Sequence, residues 1–228
     1  MTADGWPECP IISVHFPKAG GSALVSQLQA AYGAANVLFD YKSDPVDPAN
    51  PLLWHRDWFL KDRPVSILPY ALVHGHFPIV KYDLIRHARR IVILREPVAN
   101  IMSIYFFWQS QFKKGHRGHA IFEFVKARRL TLLETAEIPQ LRWLMSRTYF
   151  GDYDMRRFDV IGTYERRAAF MAAVSDLIGK PLSPDVKVNV TPPSEARGDA
   201  ENDARLQTRL RTLLQDDIRF HALHTGSL

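Results

Sequence analysis

A single cysteine, Cys9, in 228 residues excludes a disulfide framework and a thiol-based metal cluster, and it predicts a reducing compartment, the cytoplasm. No apolar run approaches the roughly 20 residues that span a bilayer. The first ten residues carry Asp4 and Glu8, no basic residue and no apolar stretch, so no secretory signal is expected. Internal repeats and low-complexity tracts are absent, which excludes solenoid and linker architectures. The G-x-x-x-x-G-K-[ST] motif is also missing, and no acidic residue evidently ends a strand to hold magnesium. An ordinary ATP or GTP hydrolase is therefore not expected.

What is present is a globular composition. Hydrophobic residues make up 46%, enough for a sizeable core. The net charge of +5 fits an anionic small molecule as well as nucleic acid. The basic residues are spread along the chain and no nucleic-acid motif accompanies them, so a nucleic-acid partner is the weaker reading.

Residues 11–16 read as a buried strand and 22–32 as a helix closed by Gly33. Five prolines between 40 and 69 predict mostly loop, with at most a short helix around Leu52–Leu60. Tyr70–His74 is a second strand. Arg90–Leu94, apolar and mostly β-branched from Ile91 on, is the clearest strand of all. Pro97 suits a first helical turn, and the helix behind it is expected over Val98–Phe112. A basic loop, Lys113–His119, leads to helices over 121–135 and 139–148. Phe158–Thr163 is a fourth strand, Glu165–Ile178 a helix, 180–200 a loop and 202–222 a last amphipathic helix. The reading is a tail at 1–9 and one P-loop-like α/β domain at 10–228, its central parallel sheet flanked by helices.

In such sheets ligands bind beyond the carboxyl ends of the strands. Four polar groups fall there. The first is Pro17-Lys18-Ala19-Gly20-Gly21-Ser22, between strand and helix. Its glycines let backbone N–H groups approach an oxyanion, the helix start adds partial positive charge, and Lys18 adds a full one. The second is Arg95 with Ser103 eight residues on, a guanidinium fork and a hydroxyl suited to a second phosphate. The third is His74-Gly75-His76 and the fourth Tyr164-Glu165. His15 lies on the first strand and reads as structural. His74 and His76 without a compelling third partner give no metal site.

Pro17–Leu24 resembles the 5′-phosphosulfate loop of sulfotransferases, which use 3′-phosphoadenosine 5′-phosphosulfate (PAPS). Leu94–Tyr105, with Arg95 and Ser103, is similar to that family's 3′-phosphate segment. Val73–Pro78 and Ile161–Glu165 look like segments of its carbohydrate branch, as in uronosyl 2-O-sulfotransferases. The resemblance covers most of residues 10–180. Ala19 stands where the family usually has threonine, Ala23 where a hydroxyl is frequent, and Asn100 where arginine is frequent.

The resemblance implies a PAPS-dependent enzyme that sulfates a hydroxyl of a glycan or glycolipid, with no metal. Lys18 would neutralise the leaving 5′-phosphate. Gly20, Gly21, Ser22 and Ala23 would cradle it through backbone N–H groups, and Arg95 and Ser103 would hold the 3′-phosphate. His76 is the first candidate for the general base and His74 the second. Glu165 would be a second base or would orient a partner. Lys113, Lys114, Arg117, His116 and His119 form either an acidic-sugar contact or a solvated loop. The alternatives are a catalytically silent nucleotide-binding module and, further off, a basic nucleic-acid binder.

Overall fold

The structure is a computed structural model that describes residues 9–50, 61, 65, 66, 68–186 and 194–226. Among them, β1 (Ile11–Val14), β2 (Val37–Asp40), β3 (Leu72–Gly75), β4 (Arg89–Leu94) and β5 (Val160–Thr163) form one sheet in the order β2-β3-β1-β4-β5. Every neighbouring pair is parallel. All residues of β1 and β3 are buried, and so are those of β4 beyond Arg89. Burial of consecutive residues means both faces are covered, which is why these strands read as continuous apolar runs.

Helices flank this sheet. They are α1 (Gly21–Tyr32), α2 (Pro97–Lys113), α3 (Ala120–Arg128), α4 (Leu132–Glu137), α5 (Pro139–Arg142), α6 (Arg167–Ile178), α7 (Glu195–Asn202), α8 (Ala204–Leu213) and α9 (Gln215–Thr225). None of them is long and apolar enough to cross a membrane. The chain leaves β1 toward β2 on one side and later returns past β1 to β4 on the other. The crevice beyond the carboxyl end of β1 is thus the switch point of the sheet.

Several boundaries differ from the sequence reading. β2 was not expected; it is a four-residue edge strand, and its Phe39 is 42% exposed. The strands read as second and fourth are therefore β3 and β5. The helix expected over 121–135 is two helices. Arg129 turns left-handed at φ 52°, and Thr131 with Glu134 builds a capping box that starts α4.

The helix expected over 139–148 stops as α5 and continues as a π-helix, Leu144–Tyr149. Asp217 of α9 accepts the Met145 and Ser146 amides at 2.8 and 2.9 Å, and the Ser146 hydroxyl at 2.6 Å. Those amides would otherwise bond the preceding turn, so the carboxylate widens it. The final helix breaks at Leu214 into α8 and α9, and α7 occupies the end of the expected 180–200 loop. The helix expected at Leu52–Leu60 lies outside the described residues.

Candidate functional site

The segment between β1 and α1 is held open by two side chains from β4–α2. The Arg95 guanidinium donates to the Lys18 carbonyl at 3.1 Å, and the Asn100 amide donates to the Pro17 carbonyl at 2.7 Å. Lys18 itself is left-handed at φ 58°, a conformation L-residues adopt rarely and functional turns use often. Gly20 follows at φ 90° and opens α1 without a side-chain cap. The first amides of a helix have no intrahelical acceptor, so Gly21 and Ser22 present N–H groups at the crevice. The Ala23 amide differs, because it donates to the Gly20 carbonyl at 3.1 Å.

Gly21 has a second reason to lack a side chain. A Cβ there would run into the His15 imidazole and sit 2.6 Å from its Nε2. His15 thus lies flat on the start of α1.

These groups line a cavity of about 840 Å³, within the size range of small-molecule sites. One end is cationic. Lys18, Arg95, Arg167 and Arg197 all face the cavity, and Lys114 joins its wall. Lys18 Nζ sits 4.1 Å from the centre of the Phe107 ring. Burial, then Arg95, then Arg197, push its pKa down to about 8. The Arg95 guanidinium lies 4.5 Å over the Tyr164 ring. The Nε groups of Arg95 and Arg167 are buried without a hydrogen-bond partner. Leaving buried donors unpaired costs about 1–3 kcal/mol each, so such donors point to an absent acceptor. Ser103, 2% exposed, also reaches the wall.

The other end is built from rings. Ser13 pairs with His74 in the sheet register, which places His15 opposite His76 two residues on. His15 and His76 stack at 4.5 Å and 20°. The His15 Nδ1 lies 3.1 Å from the Tyr41 hydroxyl, and the His76 Nδ1 lies 2.8 Å from the Tyr149 hydroxyl. His76 lines the cavity, and its Nδ1 is the nitrogen engaged by Tyr149. Burial, and then His119, push the His76 pKa down to about 4, so the ring is neutral at neutral pH. Burial also holds His15 and His74 well below the usual imidazole range.

Asp44 and His119 complete this end, with Trp108 beside them. Asp44 accepts the Val46 amide at 2.9 Å, and burial raises its carboxyl above the usual range. The His119 ring accepts the Phe122 amide as the N-cap of α3 and is held low by burial.

The expected residues divide clearly. Lys18, Gly20, Gly21, Ser22, Ala23, Arg95, Ser103 and His76 share the cavity wall. His74 does not; it is fully buried behind the wall, its Nδ1 2.9 Å from the Ser13 hydroxyl. Glu165 does not either; it is exposed, and its carboxylate accepts the Glu96 amide at 3.4 Å. Of the basic loop, Lys114 and His119 face the cavity, while Lys113, His116 and Arg117 are exposed away from it. His15, read as structural, is on the wall.

Asp44, Tyr149, Arg167 and Arg197 were not anticipated at all. They come from a proline-rich turn, a π-helix and two helix starts, where no spacing rule marks a site. Among the described residues no group of three or more His, Cys, Asp or Glu is arranged to hold a metal.

No protein-family model matches the chain, and no curated protein does. Solved structures do match. A sulfotransferase from Alicyclobacillus acidocaldarius aligns at 13% identity and TM-score 0.35, over 90% of this chain and 96% of that one. The mouse sulfotransferase SULT7A1, complexed with PAP, aligns at 14% and 0.36, over 91% of this chain and 65% of that one. A retinol dehydratase with androsterone and the inactive cofactor PAP aligns at 12% and 0.40, over 94% and 81%. At this identity and overlap, the likeness assigns neither an activity nor a ligand to this chain.

Proposed function

We propose that this chain is a sulfotransferase that moves a sulfuryl group from PAPS to a hydroxyl of a carbohydrate or glycoconjugate. One observation carries the reading: a single cavity joins a cationic end with buried, unpartnered Nε donors of Arg95 and Arg167 to a neutral, wall-lining histidine whose Nδ1 is engaged by Tyr149. The donor supplies an activated S–O bond and two separate phosphate groups. The residues present suit it. Gly20 and Gly21 line the cavity at the start of α1, where backbone N–H groups suit an oxyanion, with Lys18 on the same wall. Arg95 and Ser103, with Arg167 and Arg197 near, suit the 3′-phosphate.

The electron and proton balance follows. The acceptor oxygen bonds to sulfur as the bond from sulfur to the bridging oxygen breaks, and that electron pair leaves on the 5′-phosphate. Lys18 stabilises the charge that develops there. The acceptor proton passes to His76 Nε2 and then to solvent. His74 lies too deep to receive it. Glu165 is assigned to holding the start of α2 through the Glu96 amide.

The test is a transfer assay with labelled PAPS over glycans, glycolipids and small phenols, read by mass spectrometry. Sulfated product from a glycan or glycolipid is expected. Product from phenols alone would overturn the acceptor class, and no product with any acceptor would overturn the enzyme reading.

A second reading, a nucleotide-binding module without turnover, is favoured by Ala19. That position is fully buried and offers no hydroxyl to the loop. PAP binding without transfer would select it.

A further inference from the structure

Tyr149 places its hydroxyl within hydrogen-bond distance of the candidate base. Its hydroxyl is 2.8 Å from His76 Nδ1, and its ring is fixed edge-on against both Phe16 and His76. The residue is 1% exposed and ends the π-helix Leu144–Tyr149. Single π turns inside helical segments concentrate at functional sites. This one is forced by the buried Asp217, which takes the Met145 and Ser146 amides. A carboxylate on the last helix thus sets where the Tyr149 hydroxyl sits.

A neutral imidazole has one N–H and one lone pair, and the partner of one nitrogen decides the state of the other. If Tyr149 accepts from Nδ1–H, then Nε2 carries the lone pair and can act as a base. If Tyr149 donates to Nδ1, then Nε2 carries the proton and His76 cannot take another there. A hydroxyl permits both, and a base at Nε2 requires the first. The groups facing the imidazole from other elements are His15 from the end of β1, Tyr41 after β2 and His119 at the start of α3.

The geometry points to Tyr149 as the positioning residue of His76: its oxygen accepts from Nδ1–H, and Nε2 is left with the lone pair as the base. This rests on the reading of His76 as the proton acceptor.

The experiment is long-range proton–nitrogen NMR of the full chain labelled with nitrogen-15 histidine. His76 is identified by the signals lost in His76→Gln. The wild type is expected to show the proton on Nδ1 and a pyridine-like Nε2. A proton on Nε2 overturns the proposal. Tyr149→Phe is expected to move the proton to Nε2. No change in that variant overturns it.

In the transfer assay, Tyr149→Phe should lower kcat about 10–100-fold at unchanged KM, the size typical when the residue behind a working histidine is lost. An unchanged kcat overturns the proposal. Absence of any transfer by the wild type would count against the sulfotransferase reading, and the NMR result would still decide the tautomer.

Discussion

The two ends of the cavity solve opposite electrostatic problems. At the cationic end burial, and then repulsion from Arg95 and Arg197, lowers the Lys18 pKa to about 8. Arg197 pairs with Glu201 at 2.8 Å while also lining the cavity. At the ring end burial holds His15, His74, His76 and His119 below the usual imidazole range, and Asp44 is the one carboxylate among the described residues of the wall. The difference teaches what each end awaits. Clustered positive charge favours an anion that enters from outside. Neutral, stacked imidazoles favour a group that gives up a proton.

The sharpest way to break this division is at His76. His76→Ala should lower transfer by about 10²–10⁴-fold, the usual contribution of a positioned base, with PAP affinity unchanged. A calorimetric titration beside a rate assay separates the two, and a parallel loss of PAP binding would merge the ends into one. The acid limb of the wild-type rate should fall far below the ordinary histidine value of about 6.5, because His76 stays neutral down to about 4.

The cationic end has its own signature. A free-state Lys18 pKa of about 8 means that PAP binding must recruit a proton above that pH. PAP affinity should then fall about tenfold per pH unit above 8, with proton uptake visible by calorimetry in two buffers. The same shift costs the empty fold stability while Lys18 is charged in both states, below about pH 8. That penalty fades as pH rises from there toward the unfolded value. A flat affinity from pH 7 to 10 would remove Lys18 from the anion site.

Gly21→Ala strikes where the ends meet, because its Cβ would enter the His15 ring. Overpacking of this kind costs about 1–3 kcal/mol, so the melting temperature should drop by several degrees and PAP affinity should weaken with it. Glu165→Gln gives the smallest effect. The residue is exposed and off the wall, so stability should move by less than about 0.5 kcal/mol and transfer by less than about twofold. A large loss would return Glu165 to the chemistry.

The sheet was legible because buried parallel strands announce themselves as apolar runs, as at Ile91–Leu94. The edge strand β2 was not, since Phe39 and the short run around it sit before a proline-rich stretch. On the cationic end, Lys18, Gly20, Gly21, Arg95 and Ser103 were readable because they follow strands at fixed spacing. Arg167 and Arg197 were hidden, because only tertiary packing brings α6 and α7 to the wall. The ring end was half legible. His76 stood out beside its strand, whereas Tyr149 depends on a π turn imposed by Asp217, 68 residues further on by subtraction of the two positions. His15 was placed as structural because nothing local revealed that it faces Gly21.

The central claim is that the cationic end holds a nucleotide through Arg95. Calorimetric titration of PAP at pH 7 into wild type and Arg95→Ala tests it most directly. Saturable binding at one site is expected, weakened at least about tenfold in the variant, as loss of a charge-assisted hydrogen bond worth roughly 1.5–3 kcal/mol requires. No binding by the folded wild type, or equal binding by both proteins, would contradict it.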